Sequence, residues 1–263
     1  MTLNQVFPTE LHHDAAELVK DYFYSHPNVD TVLVVNSCAR GQGTPESDLD
    51  FAILVKQETS TDELRNMESL WLSYSELHPI ISKYKRSSKF AHLHLDIIDG
   101  NYTPTILEAG GVSDYFEVEI GNQICYSAPM GNAGPYFKAL QEKWLPYYNE
   151  DLRLRRFEMT RNACNYDLDH IPFFVNRKLY FQAFDILCKA FREYLETLFI
   201  ANKTYPIAYN KWIKEQIVNW LNKPELYPKL SPILSVTNIE STEINDKAKM
   251  LRELLNDIGN CGY

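Results

Sequence analysis

The chain has 263 residues, 45% of them hydrophobic, and a formal net charge of −9. This hydrophobic content is ample for a packed core and excludes an intrinsically disordered chain. The negative charge disfavours a protein that coats nucleic acid by neutralising its phosphates, so we expect a small or cationic partner.

The cysteines and the hydropathy pattern indicate where the protein works. Five cysteines are scattered without a C-x-x-C pair, which is typical of reduced thiols and offers no zinc or redox motif. The sequence has no run of about 18 apolar residues, and it begins without the basic start and apolar stretch of a signal peptide. We therefore expect a cytoplasmic protein without a membrane anchor.

The first half of the sequence predicts helices that alternate with strands. Apolar residues spaced by three and four positions predict a helix over residues 10–24. Ser60, with Glu63 three residues later, forms the capping-box pattern and predicts the start of a second helix. β-branched and alternating apolar runs predict strands at 31–35, 49–55 and 91–99.

The second half of the sequence predicts mainly helices. Residues 115–127 have the pattern of a hairpin-like pair around Gly121-Asn122, and from Tyr136 onward the sequence is nearly all helical. An apolar stripe over residues 176–203 predicts the central helix of a bundle. We therefore expect an α+β protein with a sheet-containing N-terminal half and an all-α C-terminal half.

Two aspartates one residue apart, Asp48 and Asp50, begin the second predicted strand. Alternate residues of a strand point to the same side, so their carboxylates lie close together. Such a pair is stable chiefly with a cation between them, and Mg²⁺, which prefers oxygen ligands, is the natural candidate. In the third strand Asp96 is the candidate third carboxylate. It shares a face with His92 and His94, which could be acceptor-site residues or metal neighbours. All three residues are also compatible with simple exposure.

The turn before these aspartates can bind phosphate. Its backbone N–H groups and the Ser37 hydroxyl are suited to phosphate oxygens, while a metal offsets the charge that develops on the α-phosphate. Arg40 is a further candidate phosphate contact, with surface exposure as the alternative. Together the turn and the carboxylates predict a metal-assisted phosphoryl or nucleotidyl transfer site.

The stretch NSCARGQGTPESDLDFAIL, residues 36–54, resembles the signature of the DNA polymerase β-type nucleotidyltransferase superfamily, which reads Gly-Ser, about ten residues, then Asp-x-Asp. Here ten residues separate Ser37 from Asp48. The A-R-G and S-D-L-D segments match the bacterial small-enzyme branch of this superfamily, and the helical half is more loosely similar to the C-terminal helical domains of aminoglycoside and lincosamide nucleotidyltransferases. Asn36 stands in place of the first glycine, and asparagine tolerates left-handed backbone angles better than most residues.

This resemblance implies a nucleotidyltransferase-type mixed sheet with flanking helices over residues 1–132 and a helical substrate- and nucleotide-binding domain over 133–263. It implies a Mg²⁺-dependent transfer of a nucleoside monophosphate, AMP from ATP or from another nucleoside triphosphate, to a hydroxyl of a small-molecule acceptor such as an aminoglycoside-like antibiotic. The implied site residues are Asp48, Asp50 and Asp96 for metal and catalysis, with Asp96 as a ligand or as the base, and Ser37, Arg40 and Ser47 for the nucleotide.

One segment of the helical half is a candidate nucleotide contact. In TYPIAYNKW, residues 204–212, Tyr209 and Lys211 combine an aromatic face with a cation suited to a base and a phosphate. The alternative is that they are core and surface positions of a helix that starts after Pro206. The histidine pair His12-His13 is expected on the surface.

Other functions are left open by the sequence. The acceptor could be a protein hydroxyl or a tRNA end, although the charge disfavours the latter. A catalytically silent nucleotide-binding regulator or antitoxin-like protein is favoured by Asn36 in place of glycine and disfavoured by the three candidate carboxylates. Dimerisation through the helical half is also left open.

Overall fold

A computed structural model describes residues 7–105 and 114–259. Within these ranges no helix is both long and apolar enough to cross a membrane. Four cysteines lie in the described ranges and all four are free thiols, as expected. The fifth, Cys261, lies outside the described residues.

The chain divides into two compact units. The first comprises Met1–Tyr102 and Glu119–Leu145, and the second comprises Thr103–Val118 and Pro146–Tyr263. The chain thus enters the second unit, returns to the first and enters the second again. The assignment of a catalytic half and a substrate-binding half with one boundary after residue 132 stays a prediction.

The first unit contains a mixed four-stranded sheet in the order β3-β2-β1-β4. Strand β1 (Val29–Val34) pairs antiparallel with β2 (Leu49–Val55) and with the short β4 (Ala128–Pro129). Strand β2 pairs parallel with β3 (Leu93–Ile98). Nearly every residue of β1 and β2 is buried, which explains their continuous aliphatic runs. The mixed sheet implied by the resemblance is confirmed.

Three helices share one core with the sheet. Apolar residues of α1 (Glu10–Tyr24), α3 (Thr61–Leu77) and α4 (Pro79–Lys85) pack with alternate residues of β1 and β2. The predicted capping box is present at the start of α3, where Ser60 Oγ accepts from Glu63 N and the Glu63 carboxylate accepts from Ser60 N. This core fixes β2, which contains Asp50 and directly follows Asp48, against β1.

The helix α6 (Pro135–Trp144) is fixed to β1 through one buried carboxylate. Asp30 of β1 accepts hydrogen bonds from the backbone N–H groups of Tyr136 and Phe137, each at 3.0 Å. These are two of the N–H groups that a helix start leaves without an intrahelical partner. A Cβ at Gly134 would lie 2.4 Å from the Asp30 carboxylate, so only glycine permits this approach.

The hairpin predicted around Gly121-Asn122 is wrong. The segment forms the helix α5 (Phe116–Ile120), which continues as a π-helical turn (Gly121–Cys125). Apolar and acidic residues alternate over 116–120 and mimic a strand, but Glu117 is fully buried rather than exposed. Glu117 is buried because it forms an ion pair with Arg156, so the alternation of apolar and acidic residues does not mark a face exposed to solvent.

The second unit is helical, as predicted. The stripe seen in the sequence lies in its core, where Leu187, Tyr194 and Leu198 are buried and Tyr180 and Phe184 pack against them. This unit contains the first residues of α5, up to Val118. Its other described elements are α7 (Glu150–Asn176), α8 (Tyr180–Ala201), a π-helical segment (Glu215–Trp220), α9 (Tyr227–Leu234) and α10 (Glu243–Asp257). The short helix α2 (Asn36–Ala39) lies in the first unit, between β1 and β2.

A buried ion cluster connects α5 to α7 and α8. The guanidinium of Arg156 donates hydrogen bonds to Asp114, Glu117 and Glu196, and the Tyr148 hydroxyl also donates to Glu117 at 2.7 Å. Burial alone would lower the pKa of Arg156, but the hydrogen bonds and charges of Glu117 and Asp114 raise it above its ordinary value. Because the arginine supplies the positive charge among these carboxylates, this donor set does not require a metal.

Candidate active site

The turn after β1 begins with a residue in the left-handed region. Asn36 has φ of +58°, a conformation that asparagine adopts more readily than most non-glycine residues. The expectation that Asn36 permits the turn is confirmed. The short helix α2 follows, and the Ser37 carbonyl accepts from the N–H groups of Gln42 at 2.9 Å and Arg40 at 3.2 Å. Ser37 itself is half-buried.

The buried Cys38 connects this turn to β2. Its Sγ donates a hydrogen bond to the Asp48 carbonyl oxygen at 3.6 Å, which places Ser37 close to the first residues of β2. Burial raises the pKa of the Cys38 thiol to about 11, the Ser37 hydrogen bond opposes this, and the nearby charges of Asp50 and Asp48 add to it. The thiol is therefore protonated and serves as a hydrogen-bond donor rather than as a nucleophile.

The carbonyl of Ser47, directly before Asp48, is held by two buried side chains. His12 Nε2 lies 3.1 Å from this oxygen, and the Tyr84 hydroxyl donates to it at 2.9 Å. His12 Nδ1 lies 2.7 Å from the Thr9 hydroxyl, so a ring that donates from Nε2 to Ser47 and accepts at Nδ1 from Thr9 satisfies both contacts. The expectation that His12 is a surface residue is wrong, because it is only 1% exposed.

The Ser47 side chain takes part in the turn. Its Oγ accepts from the Thr44 N–H at 2.9 Å, and its own N–H donates to the Thr44 carbonyl at the same distance. This closed turn sets the direction in which the chain enters β2. The nucleotide contact implied for Ser47 stays a prediction.

Asp48, Asp50 and His94 come together at the start of β2 and β3. Asp50 and His94 are Cα partners in the parallel register, and His94 Nε2 lies 3.8 Å from Asp48 Oδ2. One ligand atom from each of the three residues lies within 4.8 Å of the others. The side chains of Asp48 and His94 are 43% and 61% exposed, so the group is open to solvent. Two carboxylates and an imidazole form a donor set that fits a divalent metal ion.

The family model described as Polymerase beta, Nucleotidyltransferase matches residues 17–102. Residues 17–102 are therefore similar to a polymerase beta-type nucleotidyltransferase domain. The resemblance that the sequence carries to the DNA polymerase β-type superfamily is thereby confirmed, and the turn, both aspartates and His94 all lie within the matched range. A search of curated proteins found no match to the chain.

Asp96, which also lies in the matched range, is not part of the cluster of Asp48, Asp50 and His94. It is exposed on the same side of β3 as His94, and its Cα partner is Ala52 rather than Asp50. Among the described residues, the group that could hold a metal here contains His94 and not Asp96. Asp96 therefore lies two residues further along β3 than His94, and its role as metal ligand or base stays a prediction.

The remaining candidate nucleotide residues have different surroundings. Arg40 is half-buried and ends α2. In the second unit, Lys211 is exposed, whereas Tyr209 is 6% exposed and lies in the helical core. Between residues 206 and 212 the chain is not helical. Gln216 holds this segment by donating to the Lys211 carbonyl at 2.9 Å. Tyr209 therefore offers no exposed ring face for a base in this structure.

Sequence reasoning missed two residues of the site, His12 and Tyr84, and it left the placement of His94 open. Tyr84 and His12 act on Ser47 across 37 and 35 positions, so no local pattern contains their contact. The signal for His94 was present, because it alternates with Asp96 in the predicted strand, but the choice between them required the register of β2 and β3.

Proposed function

We propose that this protein is a metal-dependent nucleotidyltransferase that transfers AMP from ATP, or the monophosphate of another nucleoside triphosphate, to a hydroxyl of a small-molecule acceptor. The observation that carries the proposal is the convergence of Asp48 and Asp50, next to the Ser37 turn, within a segment that matches a nucleotidyltransferase family. The family resemblance implies Mg²⁺ as the metal.

The residues of the turn and of β2 would divide the work in the following way. Ser37 and the backbone N–H groups of the turn would bind the β- and γ-phosphates and orient the α-phosphorus for in-line attack. Asp48 and Asp50 would hold a divalent ion, which offsets the negative charge that develops on the α-phosphate. Arg40, at the end of α2, would add a positive charge on the same side.

Asp96 would act on the acceptor. Its exposed carboxylate on the His94 side of β3 can accept the proton of the acceptor hydroxyl. The hydroxyl oxygen then forms a bond to the α-phosphorus, and the bond between this phosphorus and the bridging oxygen of pyrophosphate breaks. The products are the nucleotidylated acceptor and pyrophosphate.

The charge of the chain supports a cationic acceptor. With a formal net charge of −9, the protein attracts a polycation such as an aminoglycoside-like molecule and repels a nucleic acid. A lincosamide, which has fewer charges, and a protein hydroxyl are the alternative acceptors.

Replacing Asp50 tests the proposal. We expect Asp50→Asn to lower acceptor-dependent pyrophosphate release at least a hundredfold, because one of the two carboxylates that hold the metal loses its charge. The assay combines the protein with a divalent metal, each of the four nucleoside triphosphates and a panel of aminoglycosides and lincosamides. Asp62→Asn, in an aspartate of α3 whose side chain is 94% exposed, is the matched control and should keep full activity. Equal rates in wild type and Asp50→Asn would contradict the proposal.

A further inference from the structure

We propose that His94 is the third protein ligand of the metal and that it makes the site prefer Mn²⁺ to Mg²⁺. This inference rests on the proposed function for the use of the metal, but the ligand set can be tested by metal binding alone. It goes beyond a site made of carboxylates, which the sequence pattern predicts.

The register of the sheet places an imidazole where a third carboxylate was expected. Because Asp50 and His94 are Cα partners on adjacent parallel strands, their side chains leave the sheet on the same side. The distance between His94 Nε2 and Asp48 Oδ2 is 3.8 Å, which is too long for a hydrogen bond. This distance leaves room for an ion that is bound to both atoms.

The alternative third ligand is further away in the register. Asp96 pairs with Ala52, one side-chain pair beyond Asp50, and two residues of a strand span roughly 6.6 Å. A metal bound by both Asp48 and Asp50 at ordinary ligand distances is therefore closer to His94. Asp96 stays available for the acceptor.

The identity of the donor atoms determines the metal preference. Mg²⁺ is a hard ion that favours oxygen ligands and retains its waters, so it gains little from an imidazole nitrogen. First-row transition ions bind imidazole more strongly, and Mn²⁺ is the one among them that also prefers carboxylate, water and phosphate oxygens. Two aspartates, one histidine and open positions for phosphate oxygens therefore match Mn²⁺ better than Mg²⁺.

The test measures the binding of each metal alone by calorimetry, in wild type, His94→Ala and His94→Asp. We expect wild type to bind Mn²⁺ at least tenfold more tightly than Mg²⁺, which is about 1.4 kcal/mol. His94→Ala should lose at least tenfold in Mn²⁺ affinity and little in Mg²⁺ affinity. His94→Asp should shift the preference toward Mg²⁺, because it restores a third carboxylate. His13→Ala, in an exposed histidine of α1, is the matched control and should bind both metals like wild type.

A spectroscopic measurement identifies the ligand directly. Pulsed electron paramagnetic resonance of bound Mn²⁺ should show a coupling to the nitrogen of a histidine ring in wild type and in His13→Ala, and it should be absent in His94→Ala. An unchanged nitrogen coupling in His94→Ala, or equal affinities of wild type for the two metals, would overturn the inference.

The two proposals fail in different ways. If pyrophosphate release depends on Asp50 but metal binding does not depend on His94, the ligand inference falls and the nucleotidyltransferase proposal stands. If Mn²⁺ binding depends on His94 but no acceptor or nucleotide gives pyrophosphate release with either metal, the proposed function falls and the ligand assignment stands.

Discussion

At the scale of single residues, the position of Asp48 is controlled by a carbonyl oxygen rather than by a side chain. His12 and Tyr84 fix the peptide before Asp48 through the Ser47 carbonyl. The peptide after Asp48 is fixed by the pairing of β2 with β3, in which the Leu49 N–H donates to the His92 carbonyl at 2.9 Å. A carboxylate whose backbone is fixed on both sides is pre-organised to bind a metal, since little conformational freedom is lost on binding.

Removing one of these contacts should affect both stability and metal binding. We expect Tyr84→Phe to lower the free energy of unfolding by about 1 kcal/mol, because the partly buried Ser47 carbonyl loses one of its two donors. The same variant should weaken Mn²⁺ binding severalfold, since the backbone before Asp48 gains freedom. Chemical denaturation and calorimetry measure the two effects.

A tyrosine outside the site provides the control. Tyr74→Phe changes a half-buried tyrosine of α3 that lies against Tyr22 and should leave metal affinity unchanged. If Tyr84→Phe reduced stability but bound Mn²⁺ like wild type, the Ser47 contact would be structural only.

At the scale of elements, α6 depends on a cap from another element. Asp30 lies on β1, more than a hundred positions before the N–H groups that it accepts from, and it is 8% exposed. We expect Asp30→Ala to lower the free energy of unfolding by about 1–2 kcal/mol, because the first N–H groups of α6 lose their partner in a buried place. Chemical denaturation measures the change, and Asp21→Ala, in an exposed aspartate of α1, should have almost no effect. Equal losses in the two variants would contradict the capping role.

The contact between α7 and α8 makes the stability of the fold depend on pH. Burial raises the pKa of Glu193 to about 8, the charge of Asp167 adds to this, and Lys189 opposes it. Lys189 Nζ lies 2.9 Å from Asp167 and 3.7 Å from Glu193, so one ammonium faces two buried carboxyl groups. Because the pKa is higher in the folded than in the unfolded chain, this group stabilises the fold fully below the ordinary value of 4.5, and the contribution is lost as the pH rises through about 8.

This dependence predicts a specific effect of one substitution. Glu193→Gln keeps a neutral side chain of similar shape, so its free energy of unfolding should fall less than that of wild type as the pH rises from about 5 to about 8. Thermal unfolding across this range measures the slope. Glu158→Gln, in an exposed glutamate of α7, should retain the slope of wild type. If Glu193→Gln retained the wild-type slope of stability against pH, another group would be responsible for the pH dependence.

At the scale of the whole molecule, the sequence predicts what depends on local pattern. The helix over residues 10–24, the capping box at Ser60 and the strand 49–55 are confirmed because periodicity and capping are local properties. The Asp-x-Asp motif with its upstream Ser37 was found in the same way, and it led to the family that the matched range supports.

What the sequence could not predict depends on contacts between distant residues. Residues 116–120 alternate like a strand, but Glu117 is buried by Arg156, which lies 39 positions later. The cluster around Asp48 contains His94 because of a strand register that neither strand specifies alone. Tyr209 lies in the helical core through packing with distant residues such as Phe199, although its own neighbours in the sequence resemble a binding segment.

The central claim is nucleotidyl transfer, and the most direct measurement follows the α-phosphorus of ATP. The protein is incubated with Mn²⁺ or Mg²⁺, a panel of aminoglycosides and lincosamides, and ATP labelled at either the α- or the γ-phosphorus. We predict that the α-label, and not the γ-label, moves to one class of acceptor, that pyrophosphate is released in equal amount, and that Asp50→Asn abolishes both. Transfer of the γ-label to an acceptor, or release of orthophosphate alone, would contradict the account.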